Sequence, residues 1–567
     1  LAGSADNKLV RNNKSSFLSS GREVNTMKRI HRGFPLIFIV LMQFALSQLS
    51  AAADADILIR NARVVDGTGS PWFLSDIAVS DGRITALGRH LDMDASTTID
   101  AAGRVLTPGF VDVHTHVESS SRRGGLEGQP RADNFLLDGV TTIITGNCGG
   151  SEINIGSYAN RLTGLGINVA TFIGHNTVRM EVMGPEDREP TNAEMDRMKS
   201  LVDKAMQDGA VGFSTGLLYV PGTYAETSEV IELAKIAAEY GGVYTTHIRE
   251  QGAKLHESLI EAITIGVEAD MPVQISHLKV KGPSRWGTIG SALDLIDSFR
   301  AQGVDIVVDA YPYARASTNL GVNMPRWAVA GTADDIAGKI EDPETSEQII
   351  AGMKDMLDDG GYTDYSFATV ARFMPNESYN GMNISEINQL REGALNIDGE
   401  ISTILDMMVE GGEAGVTQGA SMVYHYMSDD DVDTILRYPN AAIASDGGVI
   451  ERDVGMPHPR SYGTNARVIA DYVHERGIMT LEDAVRRMTS LPARAFSFHD
   501  RGIIRPGFMA DLVLFDPETV NDKATFEDPH QFSEGFDYVI VNGEVAVAGG
   551  EPTDVRAGQF VRNTGGR

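Results

Sequence analysis

Thr107-Pro-Gly-Phe-Val-Asp-Val-His-Thr-His116 is the stretch that decides the fold. An apolar, β-branched run leads directly into His-x-His. Alternate residues of a strand point the same way, so His114 and His116 can share one target. With 109–116 as the first, seven further runs of this kind follow, at 140–148, 169–175, 211–215, 242–247, 273–277, 304–311 and 441–446. Helical periodicity fills intervals between them, over 192–208, 226–240, 255–269 and 289–302. Eight strand–helix units predict an α/β chain folded as a (β/α)8 barrel of the TIM type over 107–499. About 130 residues separate the last two runs, and 334–358 and 401–410 within them are helical in pattern. They predict an insertion subdomain over 320–418, before the last barrel strand.

Outside the barrel the two chain ends look alike. Residues 56–65 and 76–87 alternate like short strands, split by the turn signal Asp66-Gly67-Thr68-Gly69, and Asp81-Gly82 is a hairpin signal. Ile504-Arg-Pro-Gly-Phe-Met-Ala-Asp-Leu-Val-Leu-Phe and Tyr538-Val-Ile-Val-Asn-Gly-Glu-Val-Ala-Val repeat the pattern. A small β-sandwich built from both ends, 54–106 with 500–567, is therefore expected. Ahead of it, 27–53 reads as a secretory signal peptide. Met27 is followed by the basic Lys28, Arg29, His31 and Arg32, then by Phe34-Pro-Leu-Ile-Phe-Ile-Val-Leu-Met and Ala51-Ala52-Ala53. The apolar run is too short to span a bilayer, and the alanines fit the small-residue cleavage rule. The alternative is an uncleaved anchoring helix. Residues 1–26 read as an upstream extension, and a periplasmic or secreted protein with no stable membrane anchor after cleavage is expected.

Composition narrows the function classes. A hydrophobic share of 42% and a charged share of 22% suit a globular chain of 567 residues. A single cysteine excludes an internal disulfide framework and any multi-cysteine cluster. The 48 basic and 78 acidic side chains leave a formal charge of −30, which argues against nucleic acid and anionic membrane as partners.

The chemistry lies in how the strand runs end. The first ends in His114 and His116, the second in Cys148, the fifth in His247, the sixth in His277 and the eighth in Asp446. In a parallel barrel these ends converge on one face. Alone, each residue has a blander reading: a hydrogen-bonded structural histidine, or an inert buried cysteine. Jointly they predict a metal centre, and imidazole, thiolate and carboxylate donors suit zinc. His256, His474, His499 and His530 lie in helical or loop patterns and read as non-ligands.

The stretch at 107–116 resembles the first barrel strand of the amidohydrolase superfamily, and Ile504-Arg-Pro-Gly-Phe-Met-Ala-Asp-Leu-Val-Leu-Phe-Asp resembles its return into the terminal β domain. Within the superfamily the chain is similar to the D-aminoacylase (N-acyl-D-amino-acid deacylase) group. Gly146-Asn-Cys-Gly, Gly174-His-Asn-Thr-Val-Arg with Val182-Met-Gly, Gly212-Phe-Ser-Thr-Gly-Leu-Leu-Tyr-Val-Pro-Gly, Thr246-His-Ile-Arg, Ser276-His-Leu-Lys, Ala310-Tyr-Pro-Tyr, Ser445-Asp-Gly and His458-Pro-Arg-Ser-Tyr-Gly-Thr carry the likeness over nearly all of 56–550. Many binuclear relatives, hydantoinases and dihydroorotases among them, bridge two metals with a carboxylated lysine. Here the fourth run ends in Ser214-Thr215-Gly216, and the D-aminoacylase pattern uses the strand-two cysteine instead. The resemblance implies a tight zinc site of Cys148, His247 and His277 and a second, weaker one near His114 and His116.

It also implies zinc-dependent hydrolysis of N-acyl-D-amino acids to a carboxylate and a free D-amino acid. Zinc acidifies a water and polarises a carbonyl. Asp446 is the candidate proton carrier; its alternatives are a ligand role alone or the orienting of a ligand histidine. Tyr219, Lys279, Tyr311 and Arg460 match family positions that contact substrate, and a guanidinium can grip the α-carboxylate bidentately. Arg315 reads as a surface arginine, with a second substrate carboxylate as its alternative partner. Two other functions stay open: hydrolysis of a cyclic amide or D-dipeptide on the same centre, and a periplasmic binding protein for acidic ligands.

Overall fold

The two chain ends meet in one sheet. The structure, a computed structural model, describes residues 55–118 and 125–563. The expected extension at 1–26 and signal peptide at 27–53 lie outside the described residues. Ala55–Val64 pairs antiparallel with Phe73–Ser80 and parallel with Ala95–Asp100 and Val105–Pro108. Val105–Pro108 then pairs antiparallel with Leu512–Phe515, which leads to Phe536–Val541, Glu544–Ala548 and Glu551–Pro552. With Arg83–Gly88 at the far edge, the result is a nine-stranded mixed sheet. Alternation sets its two faces: Ile57 and Ile59 join one buried cluster and Leu58 another. A sandwich of two sheets was expected from the same strands. The pairing of Val105–Pro108 with Leu512–Phe515 instead stitches both ends into one continuous ladder.

The parallel strands run in chain order. Phe110–Asp112, Val140–Thr145 and Asn168–Thr171 form a three-stranded sheet. Ile173–Gly174, Gly212–Gly216, Val243–His247, Val273–Ile275, Ile306–Ala310 and Ala441–Ile443 form a six-stranded one. The third run is thus divided at Phe172 between the two. At the other margin Thr115 bridges Gly447 in parallel, Asp446 N donates to His114 O (2.8 Å), and His116 N donates to Gly447 O (2.8 Å). One buried cluster draws Val111, Val113, Ile144 and Ala170 from the first sheet's runs and Val307, Ala442 and Ala444 from the second's.

Between Ile306–Ala310 and Ala441–Ile443 the chain builds a three-stranded antiparallel sheet of Ala316–Asn319, Ser421–Tyr424 and Ala368–Arg372. These strands are short, and Ala316-Ser-Thr-Asn shows no apolar alternation. The helix expected over 334–358 is two helices, Ala333–Glu341 and Pro343–Gly360. Asp342 adopts φ −73°, ψ 119°, because the residue before a proline avoids the helical region, and its side chain caps the second helix by accepting from Thr345 N. Among the described residues no helix is long and apolar enough to cross a membrane.

Candidate metal centre

All six predicted ligands come together beyond the carboxyl ends of the parallel strands. Cys148 Sγ lies 3.4 Å from His114 Nε2, 3.7 Å from His247 Nδ1 and 3.7 Å from His277 Nε2. Asp446 Oδ1 lies 3.2 Å from His116 Nε2 and 3.6 Å from His114 Nε2. The potential ligand atoms fall into three overlapping triads, each with its atoms within 4.8 Å of one another: His114–His116–Cys148, Cys148–His247–His277 and His114–His277–Asp446.

The backbone is bent to make this possible. Cys148, His277 and Asp446 have φ of 52°, 34° and 50°, a left-handed conformation that non-glycine residues seldom adopt. Such strain costs on the order of 1–3 kcal/mol per residue and persists where the surroundings over-determine it. Behind Cys148 the chain passes very close to its neighbours. A Cβ on Gly149 would stand 2.0 Å from Asn176 Oδ1, and one on Gly216 would stand 2.1 Å from Cys148 O. The glycines of Gly146-Asn-Cys-Gly and Ser214-Thr-Gly therefore let the thiol reach the centre.

Asp309 orients the first histidine, and sequence reasoning passed over it. His114 Nδ1 lies 3.2 Å from Asp309 Oδ1, which leaves Nε2 facing Cys148 and Asp446. The same carboxylate accepts from Gln274 Nε2 (2.6 Å) and from His277 N (2.8 Å), so one buried group sets two of the predicted ligands. Its position within Ile306–Ala310, one strand from His277, was the available signal. The Gln251 amide lies 3.4 Å from His277 Nδ1.

The electrostatics suit a cation. Burial pushes the Cys148 thiol up, but the imidazoles of His114, His116 and His247 outweigh it and hold the group well below its ordinary value, as thiolate. Burial, with Lys279 and His247 nearby, lowers His277 to about 3, and burial also lowers His247. Both imidazoles are therefore neutral, the form that ligates metal. Burial alone would lower His114, yet Asp309, Cys148 and Asp446 raise it well above the usual imidazole range. The buried Nε2 of His247 has no hydrogen-bond partner among the described residues. A thiolate, imidazoles and a carboxylate at these separations fit zinc.

A cavity of about 320 Å³ opens on the centre, lined by His116, Cys148, His247, His277 and Asp446. The four predicted substrate contacts, Tyr219, Lys279, Tyr311 and Arg460, line it too. The Tyr219 ring packs on His247 with centroids 4.7 Å apart, and its hydroxyl lies 3.2 Å from Thr318 Oγ1. Lys279 Nζ and the Arg460 guanidinium lie 5.6 Å and 4.8 Å from the Tyr311 ring centroid. Arg460 Nη1 is also 3.0 Å from Asp446 Oδ2, an ion pair the sequence did not signal. His458 Nδ1 accepts from Arg460 N (3.1 Å), while its Nε2 meets Arg315 O (2.9 Å). Arg315 itself stacks on Phe526, 4.2 Å from the ring centroid, and is not among the cavity-lining residues. His256, His474, His499 and His530 belong to none of the potential metal triads.

An amidohydrolase-family profile matches residues 97–547. The chain is 34% identical to the D-aminoacylase of Alcaligenes xylosoxydans xylosoxydans over 513 residues, covering 86% of this chain and 93% of that one. It is 32% identical to the N-acyl-D-glutamate deacylase of the same organism over 532 residues, covering 89% and 96%. The crystal structure of N-acyl-D-glutamate deacylase from Bordetella bronchiseptica, complexed with zinc and a phosphonate mimic of the tetrahedral intermediate, matches with a TM-score of 0.73 and 31% identity, over 90% of this chain and all of that one. Profile, sequence and architecture agree, and the chain belongs to the amidohydrolase family, within its D-aminoacylase (N-acyl-D-amino-acid deacylase) group.

Proposed function

We propose that the protein is a zinc-dependent deacylase of N-acyl-D-amino acids, releasing a carboxylate and a free D-amino acid. The observation that carries this reading is a single cavity lined both by Cys148, His247, His277 and Asp446 and, beside Tyr311, by Arg460 and by Lys279, whose amine burial lowers to about 7. The first offers a metal site and the second an anion site, the two demands of an acylated amino acid. Cys148, His247 and His277 would hold the tight zinc, with His114, His116 and Asp446 around a second position. The relatives' names support the substrate class, and the order of the parallel strands with the Thr115–Gly447 bridge supports closure as a (β/α)8 barrel.

When bound, zinc supplies a Lewis acid and lowers the pKa of a water. The rest is work for side chains. Arg460, His114 and His116 outweigh burial at Asp446 and hold its carboxyl well below the usual carboxylate range. It is therefore ionised at neutral pH and can accept the proton of the attacking water. It then returns that proton to the departing amine nitrogen. Lys279 and Tyr311, whose ring lies beside the Arg460 guanidinium, face the cavity where a substrate α-carboxylate would lie. Fixing the carboxylate, the scissile carbonyl and the direction of the α-hydrogen leaves the side chain one place to go, so one enantiomer is selected.

Membership in a hydrolase family leaves no reason to keep the solute-binding reading. Export remains part of the proposal, supported by the basic and apolar pattern of 27–53. The test is release of free amine from N-acetyl-D-amino acids, N-acetyl-L-amino acids and hydantoins. Release from the D series alone supports the reading. Turnover of hydantoins without the D series would replace it with cyclic-amide hydrolysis.

A further inference from the structure

The cavity at the metal centre adjoins a larger one of about 670 Å³, and Lys281 lines both where they meet. Leu218, Tyr219, Lys281, Asn319 and Val322 line both. Three arginines around this junction are already engaged. Arg249 pairs with Glu261, Arg285 with Asp359, and Arg460 with Asp446, at 2.8, 2.7 and 3.0 Å. Lys281 is different. Its Nζ lies 4.3 Å from the Tyr426 ring centroid, and no carboxylate among the described residues comes within ion-pair distance. Glu250 is the acid whose field reaches it, but the Glu250 carboxylate accepts from Gly252 N (2.7 Å) and Lys254 N (2.5 Å). A half-buried ammonium held on a ring face inside a substrate cavity is placed to receive an anion.

We infer that Lys281 is a specificity-determining residue that binds a second carboxylate of the substrate, beyond the α-carboxylate met by Lys279. This rests on the deacylase reading and deepens it. Lys279 and Lys281 are two residues apart and line the same cavity, so their ammonium groups can receive the two ends of a dicarboxylate. Arg315, considered for this task from sequence, stacks on Phe526 outside the cavity lining. The second carboxylate can belong to an acidic side chain or to a dicarboxylic acyl group.

The experiment pairs each charged substrate with its neutral amide: N-acetyl-D-glutamate with N-acetyl-D-glutamine, and N-succinyl-D-leucine with its terminal amide. The wild-type enzyme should prefer the charged member of at least one pair by tenfold or more in kcat/KM. Lys281→Met should remove that preference while leaving the neutral member within about threefold, and Lys281→Arg should retain it. The pair that responds identifies which arm carries the carboxylate. Equal turnover of both members of both pairs by the wild-type enzyme would overturn the inference, whatever the variants do. So would a Lys281→Met loss that is the same on charged and neutral substrates. If neutral N-acetyl-D-amino acids are hydrolysed well and the dicarboxylates are not, the deacylase reading stands and this one falls. If none is hydrolysed, both fall.

Discussion

Arg460 Nη1 lies 3.0 Å from Asp446 Oδ2, so the residue expected to grip the substrate is ion-paired with the residue expected to carry the proton. Both groups are buried, and His458 fixes the backbone of Arg460 from behind. The pair ties binding to catalysis, because a substrate carboxylate near Arg460 competes with Asp446 for the same guanidinium. Removing one partner of a buried pair costs on the order of 3–5 kcal/mol, and each 1.4 kcal/mol is about tenfold in rate. Arg460→Ala should therefore cut kcat/KM by about 10²-fold or more. The loss should be much smaller on a substrate whose α-carboxylate is replaced by a neutral amide. Equal losses on acid and amide would mean that Arg460 acts only through Asp446, with Lys279 left as the carboxylate's partner.

The same pair has a pH signature. Arg460 lowers the Asp446 pKa, so its removal raises it. A base with a raised pKa is protonated, and lost to catalysis, at a higher pH as the solution is acidified. The acid limb of the kcat–pH profile in Arg460→Ala should shift to higher pH. An unmoved limb would show that the rate-controlling base is another group.

Asp446→Asn preserves shape and removes the base. General acid–base catalysis contributes about 10²–10⁴-fold, so kcat should fall by at least about 10²-fold. Zinc measured by elemental analysis should remain at the tight site proposed on Cys148, His247 and His277. A near-normal kcat would rule out the proton role.

Much of this centre was legible because parallel strands laid down in chain order turn distant strand ends into neighbours. His114, Cys148, His247, His277 and Asp446 could be collected by asking what terminates each β-branched run. What was not legible depends on side-chain direction. Asp309 lies inside a strand and looks like any buried polar residue until its carboxylate is seen to hold His114 and His277 N. The left-handed turns at Cys148, His277 and Asp446 have no compositional mark beyond nearby glycines. Arg315 was ambiguous for the same reason, since nothing local says that its guanidinium turns toward Phe526.

Asp309 gives a test of that orienting layer. Outer-shell carboxylates behind ligand histidines typically contribute about 10–100-fold to metal affinity. Asp309→Asn keeps the volume but weakens the acceptor for His114 Nδ1–H and His277 N. Competition with a chelator should show zinc affinity reduced by about that factor. An unchanged affinity would make Asp309 a packing residue.

In metal-stripped protein the Cys148 thiol is held well below its ordinary value by the surrounding imidazoles, against the effect of burial. A free cysteine, with a pKa near 8.5, loses thiolate about tenfold per pH unit as the solution is acidified below that value. Alkylation of Cys148 by iodoacetamide should instead stay nearly constant from pH 8 to pH 6, and bound zinc should block it. A tenfold fall per unit would show an ordinary thiol.

The most direct measurement is a zinc titration of metal-stripped enzyme, followed by release of free amine from an N-acetyl-D-amino acid. The predicted result is no activity without metal, a rise that tracks occupancy of the tight site up to one equivalent, and loss of both zinc binding and activity in Cys148→Ala. Full activity in the metal-free protein, or a Cys148→Ala variant that binds zinc and turns over like the wild type, would contradict the account.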